Sequence, residues 1–229
     1  MRAIGFTFIA ALALAAPVAA QRVSETATVA ERYVTQGTVS GIVVAVGQGK
    51  APPVITAYGR IGNDPASAKA DVNSLWRVYS MTKPITGMAA MILIDDGKLK
   101  LDDPVSKYIP AFKDMKVLVD PTKSLESRPA TAPITIRNLL THTAGLGYVL
   151  PGMTGPLIDE YNRLGINPAQ VSMALEAQTR PARPATLEEF ANKLATLPLL
   201  SEPGSKWSYS IGLDLLGRVI EVASGMPFD

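Results

Sequence analysis

Cysteine is absent from all 229 residues, and histidine occurs once, as His142. The first absence excludes a disulfide framework and a thiol nucleophile. Together the two remove the donor set of a His- or Cys-ligated zinc site. Charge of one sign is lacking as well, since 22 lysines and arginines stand against 20 aspartates and glutamates. A chain this balanced offers no basic surface for nucleic acid or for an anionic membrane. A long apolar run is also missing: Ile4 to Ala16 covers only 13 residues, short of the ~20 that a spanning helix needs. No metal or organic cofactor is expected, and the chemistry is left to hydroxyl, amine, carboxylate and phenol groups.

The apolar run has a different reading. Arg2 supplies a short positive segment before it, and Val18-Ala19-Ala20 ahead of Gln21 is a small-residue cleavage site. This is the pattern of an export signal. Residues 1–20 are read as a signal peptide and the protein as exported, to a bacterial periplasm or the medium. The remaining 209 residues, 21–229, suffice for one substantial domain or two small ones and are read as one hydrolase domain.

What the sequence does contain is Ser80-Met81-Thr82-Lys83, its one Ser-x-x-Lys. Residues three apart share a helix face, so Lys83 can reach the Ser80 oxygen and take its proton. A serine is a poor nucleophile near neutral pH until an adjacent base activates it. From Pro84 to Asp96 the chain is apolar on nearly every side, and Gly97 suits a helix stop. The pair is therefore expected at the N-terminus of a buried helix. The helix dipole there opposes a positive lysine by only about 0.3–1 kcal/mol. Burial can lower a lysine pKa by up to ~3–5 units, so burial is the expected reason for Lys83 to act as a neutral base. The alternative is a helix-capping serine beside a solvated lysine.

Elsewhere the pattern reads as short elements joined by turns. Ser24 to Gln36 is an amphipathic helix with Ala27, Ala30 and Val34 on one side, ended by Gly37. Gly41–Val46 and Val54–Tyr58 are strand-like, and the turn-rich residues between them imply a hairpin. Gly49-Lys50 fails as a phosphate loop, because Ala51 stands where Ser or Thr is required. Asp102-Asp103-Pro104 offers two carboxylates, but such a pair before a proline is better read as a turn or helix cap. Thr135 caps a short helix to Leu140, residues 143–157 are loop, and Pro181 to Pro184 is a linker. Thr186-Leu187-Glu188-Glu189 is a capping box for a helix to about Ala195. A last helix spans Ser210 to Ser224, with Leu213, Leu216, Val219, Ile220 and Val222 as its apolar side and Gly225 as its stop. Tyr209 lies in a tight loop just ahead of it, where a phenol close to Lys83 can relay a proton to a leaving group.

Four segments, in this order, resemble the serine beta-lactamase-related hydrolases: class C beta-lactamases, D-alanyl-D-alanine peptidases and esterases of the same fold. They are Trp76 to Lys83, Gly97 to Val105, Leu139 to Leu146, and Pro203 to Tyr209. The resemblance implies Ser80 as the acylated nucleophile, Lys83 as its partner base and Tyr209 as the proton relay, with one oxyanion-hole N–H from Ser80 itself. It implies an α/β fold, an antiparallel sheet flanked by helices plus a mostly helical subdomain from about Ser80 to Ile211, with the three residues in a cleft between them. His142 reads as a structural residue bonding a turn, since a Ser-His-Asp hydrolase of the Gly-x-Ser-x-Gly type lacks its elbow here.

Two departures shape the expected substrate and extent. Where the family often has Tyr-x-Asn, this chain has Tyr209-Ser210-Ile211. Ile211 offers no amide to hold a beta-lactam or peptide acyl side chain, which favours carboxylic esters. The family's third motif, Lys-Thr-Gly or His-x-Gly on a late strand, does not follow Tyr209. The chain thus reads as the N-terminal part of a longer protein whose C-terminal strands are missing, and residues 21–229 alone are expected to be inactive. The alternatives are hydrolysis of a beta-lactam or D-Ala-D-Ala peptide, and a sensor or binding protein that is acylated without turning over. In each case the expected partner is a small-molecule ester or amide.

Overall fold

The computed structural model describes residues 25–150, 152–168 and 172–228, so the signal peptide read at 1–20 lies outside the described residues. The chain divides after Arg77 into two compact units. In the first, helix α1 covers residues 25–35. It is followed by an antiparallel hairpin of strands β1, Gly41–Val46, and β2, Val54–Gly59, in register from Gly41↔Gly59 to Val46↔Val54. Both strands and the helix stand where the sequence placed them. Gly59 is required at the end of β2: its φ is 75°, and a Cβ there would lie 2.2 Å from the Ser40 carbonyl and 2.8 Å from Val34 Cγ1 of α1. Helix and hairpin therefore close on each other at a backbone that only glycine supplies.

The second unit is mostly helical. Its helices are α2 (Thr82–Asp95), α3 (Ile136–Leu140), α4 (Pro156–Arg163), α5 (Met173–Thr179), α6 (Leu187–Ala195) and α7 (Gly212–Ser224). A second antiparallel pair, β3 (Lys116–Leu118) with β4 (Ser127–Pro129), lies between α2 and α3 in sequence. Helix α7 is the hub, packing against α2, α3 and α6. Leu213, Leu215, Leu216, Val219 and Ile220 of α7 are buried, each worth on the order of 1.5–3 kcal/mol of apolar burial. The sequence had assigned Val222 to this side, but it is 41% exposed and Leu215 takes the inward position. Gly225, with φ 73°, ends the helix as expected.

Three expectations need correction. Helix α2 is not buried all round: Thr86, Ala90 and Leu93 form one covered stripe, while Ile85, Met88 and Ile92 are about 60% exposed. Its all-apolar sequence does not report which side meets α7. Second, α7 begins at Gly212 and not at Ser210, whose side chain instead accepts the Gly212 N–H at 3.2 Å. Third, Glu189 does not close a capping box on Thr186. Thr186 accepts the Glu189 N–H at 3.1 Å, but the Glu189 carboxylate reaches one residue further back, to Ala185 N–H at 2.8 Å. The box is found at Thr135 instead, where Asn138 replaces the usual acid.

Candidate active site

Ser80 lies in a single 3-10 turn, Tyr79–Met81, that runs directly into α2. One residue earlier, Tyr79 has φ 45°, a left-handed conformation that costs a bulky residue roughly 1–3 kcal/mol. Pro84 sits in the first turn of α2, where a missing N–H breaks no hydrogen bond. Ser80 and Lys83 emerge together at this helix end, Lys83 Nζ donating to Ser80 Oγ at 3.3 Å. Tyr209, 129 residues later, brings its hydroxyl to 2.6 Å from Ser80 Oγ. The fold thus gathers all three residues singled out in the sequence. Ser80 is exposed to the pocket and Lys83 is half-buried, so the deep burial expected for the lysine is not what the structure provides. Its ammonium lies instead over two aromatic faces, 4.8 Å from the Tyr209 ring centre and 5.6 Å from that of Tyr148.

Tyr148 is the residue that sequence reasoning missed. It follows the Leu139–Leu146 segment in a loop, and its ring meets that of Tyr209 edge to face, centres 5.0 Å apart at 75°. The two phenols are pushed in opposite directions. Burial raises Tyr148, and the Lys83 charge and an interaction with Ser80 only partly offset it. Burial acts on Tyr209 too, but hydrogen bonding to Lys83 and Ser80 and the Lys83 charge outweigh it and bring the phenol below its usual value. Groups whose environments drive their pKa values apart are suited to opposite proton-transfer roles. Here Tyr209 is made the more acidic phenol and Tyr148 the less acidic one. Asp214 faces the same lysine from the first turn of α7. Its carboxyl opens onto the pocket yet is densely surrounded, and burial raises it against the pull of Lys83.

The pocket holding Ser80 and Lys83 has a volume of about 270 Å³. It adjoins a larger cavity of about 580 Å³, with Tyr148, Pro168, Asp214 and Phe228 in both walls. Ile211 is buried and lines the larger space, not the Ser80 pocket itself. Among the described residues, no group of three or more His, Cys, Asp or Glu side chains is gathered to hold a metal. No described helix is long and apolar enough to cross a membrane.

The remaining sequence candidates have structural partners. Asp102 accepts two hydrogen bonds from Arg137, at 2.8 and 3.0 Å. Asp103 accepts from Lys100 N–H, Lys107 and Tyr108 at 2.6–3.0 Å. They are turn and cap residues and not an acid–base pair, as the sequence favoured. His142 bonds the backbone at Ser210, Nδ1 accepting its N–H at 3.1 Å. It has φ 55°, and Gly145 three residues on has φ 76°, with the Ser201 carbonyl 2.1 Å from where a Cβ would stand.

A family model described as Beta-lactamase matches residues 26–229. The chain is 39% identical over 155 residues to "Esterase EstB" of Burkholderia gladioli, covering 68% of this chain and 34% of that protein. It is 36% identical over 152 residues to "Acyltransferase calJ" of Penicillium decumbens, covering 65% and 32%. Among solved structures it is similar to "EstCE1, a hydrolase with promiscuous acyltransferase activity", with a TM-score of 0.72 and 31% identity over 94% of this chain and 49% of that one. The chain spans about a third of the length of these curated relatives and half of that solved structure.

Proposed function

The chain belongs to the beta-lactamase family, and on that premise we propose that it is an exported serine hydrolase that cleaves carboxylic esters through an acyl-enzyme on Ser80. One observation carries the proposal: Ser80 Oγ stands 2.6 Å from the Tyr209 hydroxyl and 3.3 Å from Lys83 Nζ, so the nucleophile has a phenol and an amine within reach of its proton. Lys83, the partner base, takes the phenolic proton of Tyr209 and holds it as an ammonium. As Ser80 Oγ attacks the ester carbonyl, its own proton passes along the short bond to the Tyr209 oxygen. The same proton then goes to the departing alkoxide, so the alcohol leaves neutral and the acyl group stays on Ser80. Water repeats the sequence, giving its proton to Tyr209 while the Ser80–acyl bond breaks. Negative charge on the carbonyl oxygen develops beside the N-terminus of α2, where the Ser80 N–H is its donor. The second donor is proposed to lie outside residues 21–229, in keeping with the share of its relatives that this chain spans, and for that reason the segment alone is proposed to be inactive.

EstB, an esterase, and EstCE1, a hydrolase, support the ester assignment. The acyltransferase activities that the names of EstCE1 and calJ carry favour a second reading, in which an alcohol replaces water as the acyl acceptor. Ile211 stands where the family often has Asn and lines the cavity beside the Ser80 pocket, so an acyl side chain reaching that space finds no amide from this position, which supports esters over beta-lactams. The protein should therefore hydrolyse p-nitrophenyl butyrate with a kcat/KM at least about tenfold above that for nitrocefin, the moderate margin of a pocket that simply lacks a polar contact. Nitrocefin turnover equal to or faster than ester turnover would move the assignment to a beta-lactamase.

A further inference from the structure

His142 holds the chain on both sides of Tyr209. Its carbonyl accepts the Ser208 N–H at 2.9 Å, and its ring Nδ1 accepts the Ser210 N–H at 3.1 Å. Residues i−1 and i+1 around the phenol are thus tied to one side chain and its own backbone. The imidazole also lies along the Tyr209 ring, centres 4.7 Å apart at 30°, and meets Trp207 edge-on at 6.2 Å. The next residue continues the tie, Thr143 C=O accepting the Gly204 N–H at 2.8 Å. Ser210 is 1% exposed, and its hydroxyl lies 3.2 Å from Nδ1. An imidazole that accepts at Nδ1 is neutral, with its proton on Nε2.

From this bracket we infer that His142 is the positioning residue that sets the Tyr209 hydroxyl against Ser80, a role that rests on the reading of Tyr209 as proton relay. The loop carrying Tyr209, residues 203–211, has no regular secondary structure of its own to fix the phenol. The 2.6 Å bond to Ser80 requires the ring to be held to within a few tenths of an ångström, and the two hydrogen bonds and the ring contact provide that. Burial and then the Lys83 charge keep His142 below the usual histidine range, so the acceptor survives at neutral pH. Among the groups facing the ring, Lys83 from α2 supplies the charge that acts on it, and Tyr209 and Trp207 are the rings packed against it. The left-handed backbone at position 142 narrows the possible replacements, since Asn tolerates it and most residues do not. Asn also places its Oδ1 where Nδ1 stands.

The test compares His142→Ala, His142→Asn and His142→Gln with Tyr209→Phe in the intact protein, measuring kcat and KM for p-nitrophenyl butyrate and thermal unfolding. A misplaced catalytic group costs about 10²-fold. H142A is therefore expected to lose about 10- to 100-fold in kcat with KM within about twofold, and H142N to recover to within about threefold of the original. H142Q, whose amide oxygen stands one bond too far out, should resemble H142A, and this pair decides the matter should H142A not fold. Folded H142A or H142Q with unchanged kcat, beside an inactive Y209F, would overturn the positioning role alone. Equal losses in H142N and H142Q would overturn it too. An active Y209F would overturn both the relay and the bracket.

Discussion

Ser80→Ala is expected to lower kcat/KM for p-nitrophenyl butyrate by about 10⁴-fold or more, while leaving the folded structure intact. The size follows from chemistry: with the nucleophile gone, no acyl-enzyme forms, and only the binding and oxyanion contributions remain. Stability should change little, because the Ser80 side chain is exposed to the pocket and belongs to no buried network. The nearby Ser210 cannot take over. It is 1% exposed, its hydroxyl accepts the Gly212 N–H at 3.2 Å and it lies 3.2 Å from His142 Nδ1. Retention of more than about a tenth of the original rate would place the nucleophile elsewhere.

Tyr209→Phe should reduce kcat by about 10²–10⁴-fold, the range for a lost general acid–base group, with KM nearly unchanged. The ring, its contact with His142 and its position over Lys83 all survive in phenylalanine; only the hydroxyl 2.6 Å from Ser80 is removed. The variant thus isolates proton transfer from packing. A loss below about tenfold would mean that Lys83, at 3.3 Å, takes the serine proton directly and that Tyr209 is scaffolding. Those two outcomes assign the proton route between the short contact and the long one.

Much of this site was legible in the sequence because two of its three parts are local. Ser80 and Lys83 are joined by helical spacing, which the chain writes plainly. Tyr209 was reachable through its place ahead of α7 and through the four family segments. Tyr148 was not, since nothing about a Gly-Tyr in a loop tells which ring it will meet until α3 and the 203–211 loop are packed together. The bracket at His142 was half visible: a turn-bonding histidine was read, but its partner at Ser210 lies 68 residues away. The hairpin followed from two strand-like runs around a turn-rich segment, and α1 from its apolar side and its stop at Gly37. Helices α4 and α5 escaped because they are 8 and 7 residues long, too short for a helical period to stand out. The three-residue strands β3 and β4 carry no alternation at all. Exposure on α2 was misjudged for a related reason. An all-apolar helix has no polar face to mark its outer side, so the covered stripe of Thr86, Ala90 and Leu93 emerges only from packing.

The most direct test of the central claim is to mix the intact protein with p-nitrophenyl butyrate, quench in acid at short times, digest, and locate the acyl group by mass spectrometry. The account predicts one butyryl group per chain, on the peptide containing Ser80, absent from S80A and decaying as the ester is consumed. A label that persists after a single exposure would make the protein an acylated sensor. A label on any other residue, or ester turnover with no labelled Ser80 peptide at any time, would contradict the acyl-enzyme mechanism.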